Sequence, residues 1–119
     1  MPTLLVHIHT GPENPTKAAL GLLVALTAVK EGYDITLFLA GDAVHLLSAD
    51  HADATGQGTG RVGDHIDALK EAGAPMILSG MSAKARGYDD GLLEGANATF
   101  GMPTKLLELT TKAGKVLCY

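Results

Sequence analysis

Short apolar runs alternate with longer segments of helical periodicity along this chain. The short runs are rich in apolar and β-branched residues and predict strands at 3–9, 33–40, 75–78, 96–100 and 115–119. The longer segments predict helices at 16–31, 62–72 and 103–113. Alternation of this kind indicates a single α/β domain over 1–119, with a mostly parallel sheet and helices on both faces.

The helix predicted at 16–31, with Thr16 as its cap, has almost no polar face between Ala18 and Val29. A helix that is apolar all round is buried all round. In a monomer of 119 residues, a helix on a sheet should keep one solvated side. We therefore expect this helix to join copies of the chain in a homo-oligomer.

The segment from Pro75 to Gly87 is the strongest candidate site. A buried strand over 75–78 is followed by a glycine-containing turn and a helix that Gly87 can end. The first N–H groups and the partial positive charge of a helix both fall on its N-terminus, which favours an anion or a polarised sulfur or oxygen there. Ser79 and Ser82 occupy this turn. The simpler interpretation is that Ser82 only caps the helix.

In parallel sheets, ligands bind beyond the carboxyl ends of the strands. The loops after the first three strands should therefore converge, and Asp42 in the second of them can cap a short helix to Leu47. The predicted ligand-binding residues come from the first and third loops: His9, Thr10, Gly11, Ser79, Gly80, Met81, Ser82 and Arg86. The polar, glycine-rich segment 48–60 is predicted to be a mobile surface loop.

Composition restricts the partners. The net charge is −4 and the basic residues are scattered, so nucleic acid is not expected to bind. The longest apolar stretch, 18–29, is too short to span a bilayer, and no signal peptide is evident. A single cysteine excludes an intramolecular disulfide. We expect a cytoplasmic protein without a membrane partner.

Three other features of the sequence are candidate sites. The GxGxxG match at 58–63 does not follow a buried strand, so no dinucleotide cofactor is expected. His7 and His9 share one strand face, but a third ligand is not evident, so no metal is expected. His9 at the strand end is the better candidate for acid–base chemistry. Cys118 is predicted to be a small apolar filler in the last strand.

The frame Ser79-Gly-Met-Ser-Ala-Lys-Ala-Arg-Gly87 resembles the Cys-Gly-x-Cys-x-x-x-Arg-Gly pattern of the DsrE/DsrF-like family of small sulfur-relay proteins. The strand leading to Thr10-Gly11 and the Leu39–Val44 segment are also similar to that family. The resemblance covers the whole chain. It implies a flavodoxin-like or Rossmann-like domain in a trimer or hexamer, with sulfur-relay proteins as partners.

Serine stands at both positions where the family pattern has cysteine, Ser79 and Ser82. A serine hydroxyl does not ionise in such a field and cannot carry a persulfide. We therefore expect a homo-oligomer that binds a small anionic or sulfur-containing ligand without covalent chemistry, and no enzyme activity is assigned. The alternatives are sulfur transfer through Cys118, hydrolysis by Ser79 or Ser82 with His9, and an assembly subunit that pairs with an active paralogue.

Overall fold

The computed structural model describes residues 3–119, in which a five-stranded parallel sheet carries the fold. The five strands of the sheet are β1 (Thr3–Ile8), β2 (Asp34–Leu39), β5 (Met76–Ser79), β6 (Ala98–Gly101) and β7 (Lys115–Cys118). A short hairpin is formed by β3 (Thr55–Gly56) and β4 (Gly60–Arg61). The α-helices are α1 (Pro15–Lys30), α2 (Val62–Glu71), α3 (Gly80–Ala85) and α4 (Pro103–Lys112). Short 3₁₀ helices span Gly41–Leu47, Ala49–His51 and Asp90–Leu93.

The strands lie in the order β6-β5-β2-β1-β7, and each neighbouring pair is parallel. The predicted α/β class with a parallel sheet is therefore confirmed. β7 and β6 are the two edges, so the helix α4 that joins them crosses from one edge of the sheet to the other. This order places the carboxyl ends of β1, β2 and β5 side by side.

Most of the core lies on one face of the sheet. Val6 and Ile8 of β1 are completely buried there, against Leu22 and Ala25 of α1 and Leu69 of α2. The period-two alternation of the strand sends Leu5 to the opposite face. That second face is covered by α4, which has no buried residue of its own. The two faces are therefore unequally covered.

Helix α1 differs from the expectation in the residue that caps it. Asn14, and not Thr16, caps the helix, because its side chain accepts a hydrogen bond from the Lys17 N–H and Pro15 fills the first position. The outer side of the helix is also not buried within one chain: Leu20 is 38 % exposed, and Leu23 and Val24 are half-buried. The apolar outer face predicted from the sequence is thus present as open surface.

The segment 48–60, predicted to be a mobile surface loop, contains regular structure. It contains the 3₁₀ helix Ala49–His51 and the β3–β4 hairpin, which packs on the start of α1. Thr16 holds the hairpin: its hydroxyl accepts from the Gln57 N–H, and its carbonyl accepts from the Thr59 hydroxyl. These bonds join residues more than forty positions apart, so local composition does not reveal them.

Within residues 3–119, no helix combines the length and the apolar character that crossing a membrane requires.

Candidate functional site

The loops after β1, β2 and β5 meet at the carboxyl edge of the sheet. The Gly41 N–H donates a hydrogen bond to the hydroxyl of Ser82 over 2.8 Å, which ties the second loop to the third. The first loop touches the second so closely that a Cβ atom on Gly11 would lie 2.1 Å from the carbonyl oxygen of Asp42. Glycine is therefore required at position 11 for this approach.

The two serines have different structural roles. Ser79, which is 8 % exposed, caps α3 by accepting a hydrogen bond from the Ser82 N–H over 3.2 Å. The capping role considered for Ser82 thus belongs to Ser79. Ser82 lies in the first turn of α3, and its oxygen accepts from Gly41. Its hydroxyl hydrogen is still available as a donor, because one hydroxyl can accept and donate at the same time.

Arg86 is paired with an acid. Its Nε and Nη2 atoms donate to Oδ1 of Asp42 over 3.1 and 2.9 Å, and Nη1 donates to the Ser82 carbonyl over 3.1 Å. Asp42 makes this pair in place of the helix cap expected from the sequence. Arg86 thus fixes the loop after β2 against α3, and its positive charge is largely balanced by Asp42.

The other predicted site residues lie around this junction. Thr10 and Gly11 are buried, His9 is exposed, and Gly80 is half-buried. The Gly11 N–H donates to Oε1 of Glu13, which adds an acidic group to the first loop. Met81 is 59 % exposed at the first turn of α3. A cavity of about 490 Å³ lies beside that turn, lined by Gly80, Lys84, Tyr88 and Phe100 among others.

Sequence reasoning did not identify a cluster of His45, His51 and Tyr88 next to this junction. Nδ1 of His45 lies 2.6 Å from the Tyr88 hydroxyl, and its ring centroid is 4.9 Å from that of His51. Burial lowers the pKa of His45, and His51 and Arg86 lower it further. Tyr88 lies 43 positions from His45, so no local pattern signals the contact.

His7 and His9 form an edge-on pair with ring centroids 5.4 Å apart. Nε2 of His7 is buried and finds no hydrogen-bond partner among residues 3–119. Burial, and secondarily His9, lowers the pKa of His7. No group of three or more His, Cys, Asp or Glu side chains in the described chain is arranged to hold a metal ion.

Cys118 is exposed, so its prediction as a buried filler is wrong. The reason is topological: β7 is an edge strand, and its four residues are all exposed. Cys118 lies directly across from His7 in the β1–β7 register. The register therefore places the Cys118 side chain on the same face of the sheet as that of His7, which is the thinly covered face.

Comparison with known proteins agrees with this architecture. The model of the DsrE/DsrF-like family matches residues 3–119. The crystal structure of the ychN protein from E. coli superposes with a TM-score of 0.80 at 19 % sequence identity, covering 100 % of both chains. That likeness extends to the fold alone. No match is found among curated proteins.

Proposed function

Because the chain belongs to the DsrE/DsrF-like family, we propose that it is a sulfur-relay-type protein that binds a small anionic or sulfur-containing ligand at the turn from Ser79 to Ser82 without forming a covalent bond. The observation that carries the proposal is the convergence of three loops at this turn, through the Gly41–Ser82 hydrogen bond and the Asp42–Arg86 pair. The family pattern places cysteines at these two positions, and serine preserves the shape of the turn but not the sulfur chemistry.

Hydrogen-bond donors remain at the turn after the thiols are lost. The first N–H groups of any α-helix have no partner within the helix, and here they include Gly80 and Met81. The Ser82 hydroxyl hydrogen adds a donor. Since Asp42 balances Arg86, the ligand is recognised mainly by these donors and only weakly by net charge. The chemistry suits a small oxyanion or a polarised sulfur.

We further propose that the protein works as a cytoplasmic homo-oligomer assembled through α1. Its outer side carries Leu20, Leu23 and Val24, none of which is buried within one chain. The apolar surface continues onto the neighbouring strand β7, where Val116 and Leu117 are each 37 % exposed, and onto Tyr33 at 45 %. A groove of about 550 Å³ runs along this surface. Contiguous exposed apolar surface of this kind is typical of protein–protein contacts.

Sulfur transfer through Cys118 is a second candidate, favoured by the exposure of its thiol and by His7 across the ladder. In that reaction the Cys118 thiolate would attack the outer sulfur of a donor such as thiosulfate. A new S–S bond would form, and sulfite would leave with the electron pair of the broken bond. The turn at Ser79 would then have no covalent part in the transfer.

One labelling experiment tests both candidates. The protein is incubated with thiosulfate that is radiolabelled at its outer sulfur, and the label is measured at dialysis equilibrium and again after denaturation. Non-covalent binding predicts a saturable label that denaturation removes. Label that survives denaturation, is released by dithiothreitol and disappears in Cys118→Ser establishes the second candidate. No label at equilibrium contradicts the first.

A further inference from the structure

The 3₁₀ helix Gly41–Leu47 is joined to α3 and the turn after it by three side-chain contacts. The first two are the hydrogen bond from Gly41 to Ser82 and the ion pair of Asp42 with Arg86. The third joins Nδ1 of His45 to the hydroxyl of Tyr88 over 2.6 Å. We call this set of contacts the 41–88 seam. It is the lateral attachment of α3 to the loop after β2.

His45, at one end of the 41–88 seam, can change its charge near neutral pH. His45 faces charged and titratable groups from each neighbouring element: His51 of the next 3₁₀ helix, Arg86 and Tyr88 after α3, Asp42 in its own helix and Glu13 after β1. We propose that His45, His51 and Tyr88 form a proton-sensitive latch that holds the seam closed while His45 is neutral and loosens it when His45 is protonated.

The physical reason lies in the surroundings of the ring. With its proton on Nε2, neutral His45 accepts a hydrogen bond from the Tyr88 phenol. The protonated ring can still donate to the phenol oxygen, so the hydrogen bond alone does not decide the outcome. The added charge decides the outcome, because the His45 ring is half-buried and lies near Arg86. Its centroid is 4.9 Å from that of the His51 ring. Asp42, an acidic neighbour of His45, is already bound to Arg86.

The direction of the pH effect follows from the linkage between proton binding by His45 and the opening of the seam. Burial, His51 and Arg86 hold the pKa of folded His45 below its ordinary value, so the open or unfolded state takes up the proton more readily. The latch is at full strength above about pH 6.5, the ordinary pKa of histidine. It weakens as the pH falls from there towards the lower pKa of the closed state. The latch is independent of any ligand at the Ser79–Ser82 turn.

Amide hydrogen exchange on the full chain tests the latch. The informative amides are Gly41, which donates to Ser82, and Tyr88, which donates to the Ala83 carbonyl. After correction for the intrinsic pH dependence of exchange, their protection should fall from pH 7.5 to 5.5, because the lowered pKa of His45 in the closed state favours the open state at acid pH. The amide of Ala72, at the end of α2 and bonded to Ala68, should not change in this way and serves as the internal reference.

Three variants test whether the change in protection arises from His45 and its two neighbours. His45→Gln cannot titrate, so the protection of Gly41 and Tyr88 should no longer depend on pH. His51→Gln removes the neighbouring imidazole, so the pH dependence should become smaller. Tyr88→Phe keeps the ring but loses the hydroxyl, so protection should already be low at pH 7.5.

The proposal is overturned if wild-type protection does not change between the two pH values, or if it falls equally in His45→Gln. Nuclear magnetic resonance of the His45 ring, showing a pKa at or above about 6.5, would overturn it as well.

Discussion

At the residue scale, the cap of α3 decides what position 79 can do. The Ser79 hydroxyl accepts the Ser82 N–H, and a thiolate in its place would accept the same bond and lie at the helix N-terminus. We predict that Ser79→Cys in a Cys118→Ser background has a thiol pKa below about 7.5, the range seen at helix N-termini. The ultraviolet absorbance of the thiolate against pH measures it without requiring reagent access to this buried position.

The wild-type protein supplies the matched control for that measurement, because its only thiol, Cys118, lies on an exposed edge strand. Burial by itself would raise the pKa of a thiol at position 79. A value at or above about 8.5 would therefore mean that burial outweighs the helix terminus. The proposal that this turn stabilises negative charge would then be contradicted.

Also at this scale, His7 makes the stability of the fold sensitive to acid. Burial and His9 hold its pKa in the folded state below the ordinary value, so the unfolded state binds the proton more readily. The stability from neutral His7 is complete above about pH 6.5 and is lost as the pH falls towards the folded pKa. Urea denaturation at pH 7.5 and 5.5 should show this decrease, and His7→Gln should make it smaller. An equal decrease in wild type and variant would contradict the assignment to His7.

At the scale of elements, periodicity and glycine stops predicted most of the fold. Val62, Ile66 and Leu69 recur at helical spacing in the predicted helix 62–72, and all three are buried on one side of α2. Such local patterns do not predict contacts between elements that are distant in sequence. The β3–β4 hairpin is tied to Thr16, and Asp42 to Arg86, over more than forty positions. The exposure of Cys118 depended on β7 being an edge strand, which strand order decides and local sequence does not.

The junction of the loops can be tested at Gly11. A methyl group there would collide with the backbone of Asp42, so Gly11→Ala should destabilise the protein by about 1–3 kcal/mol, as overpacking typically does. Gly80→Ala is the control at the same junction, because its Cβ would lie 3.6 Å from Phe100, an ordinary contact. Chemical denaturation of both variants measures the difference. Equal stability would mean that the first and second loops are not held together.

At the scale of the whole molecule, the unburied side of α1 leads to a prediction about assembly. Leu23 is half-buried on that side, whereas Leu26 is only 8 % exposed and belongs to the core of the single chain. Leu23→Glu should therefore dissociate the oligomer without unfolding the chain. Leu107→Glu on α4, where the side chain is 66 % exposed, should leave the assembly unchanged. Sedimentation at micromolar concentration distinguishes them, and a monomeric wild type would contradict the proposed role of α1.

The central claim is that the turn from Ser79 to Ser82 binds a small ligand through backbone and hydroxyl donors. The most direct measurement is a titration of the protein with thiosulfate, followed through the amide resonances of Gly80, Met81 and Ser82. We predict saturable shifts of these three amides, with affinity about ten- to a hundredfold weaker in Ser82→Ala, because a hydrogen bond to a charged group contributes roughly 1.5–3 kcal/mol. Amides that do not shift, or an unchanged affinity in Ser82→Ala, would contradict it.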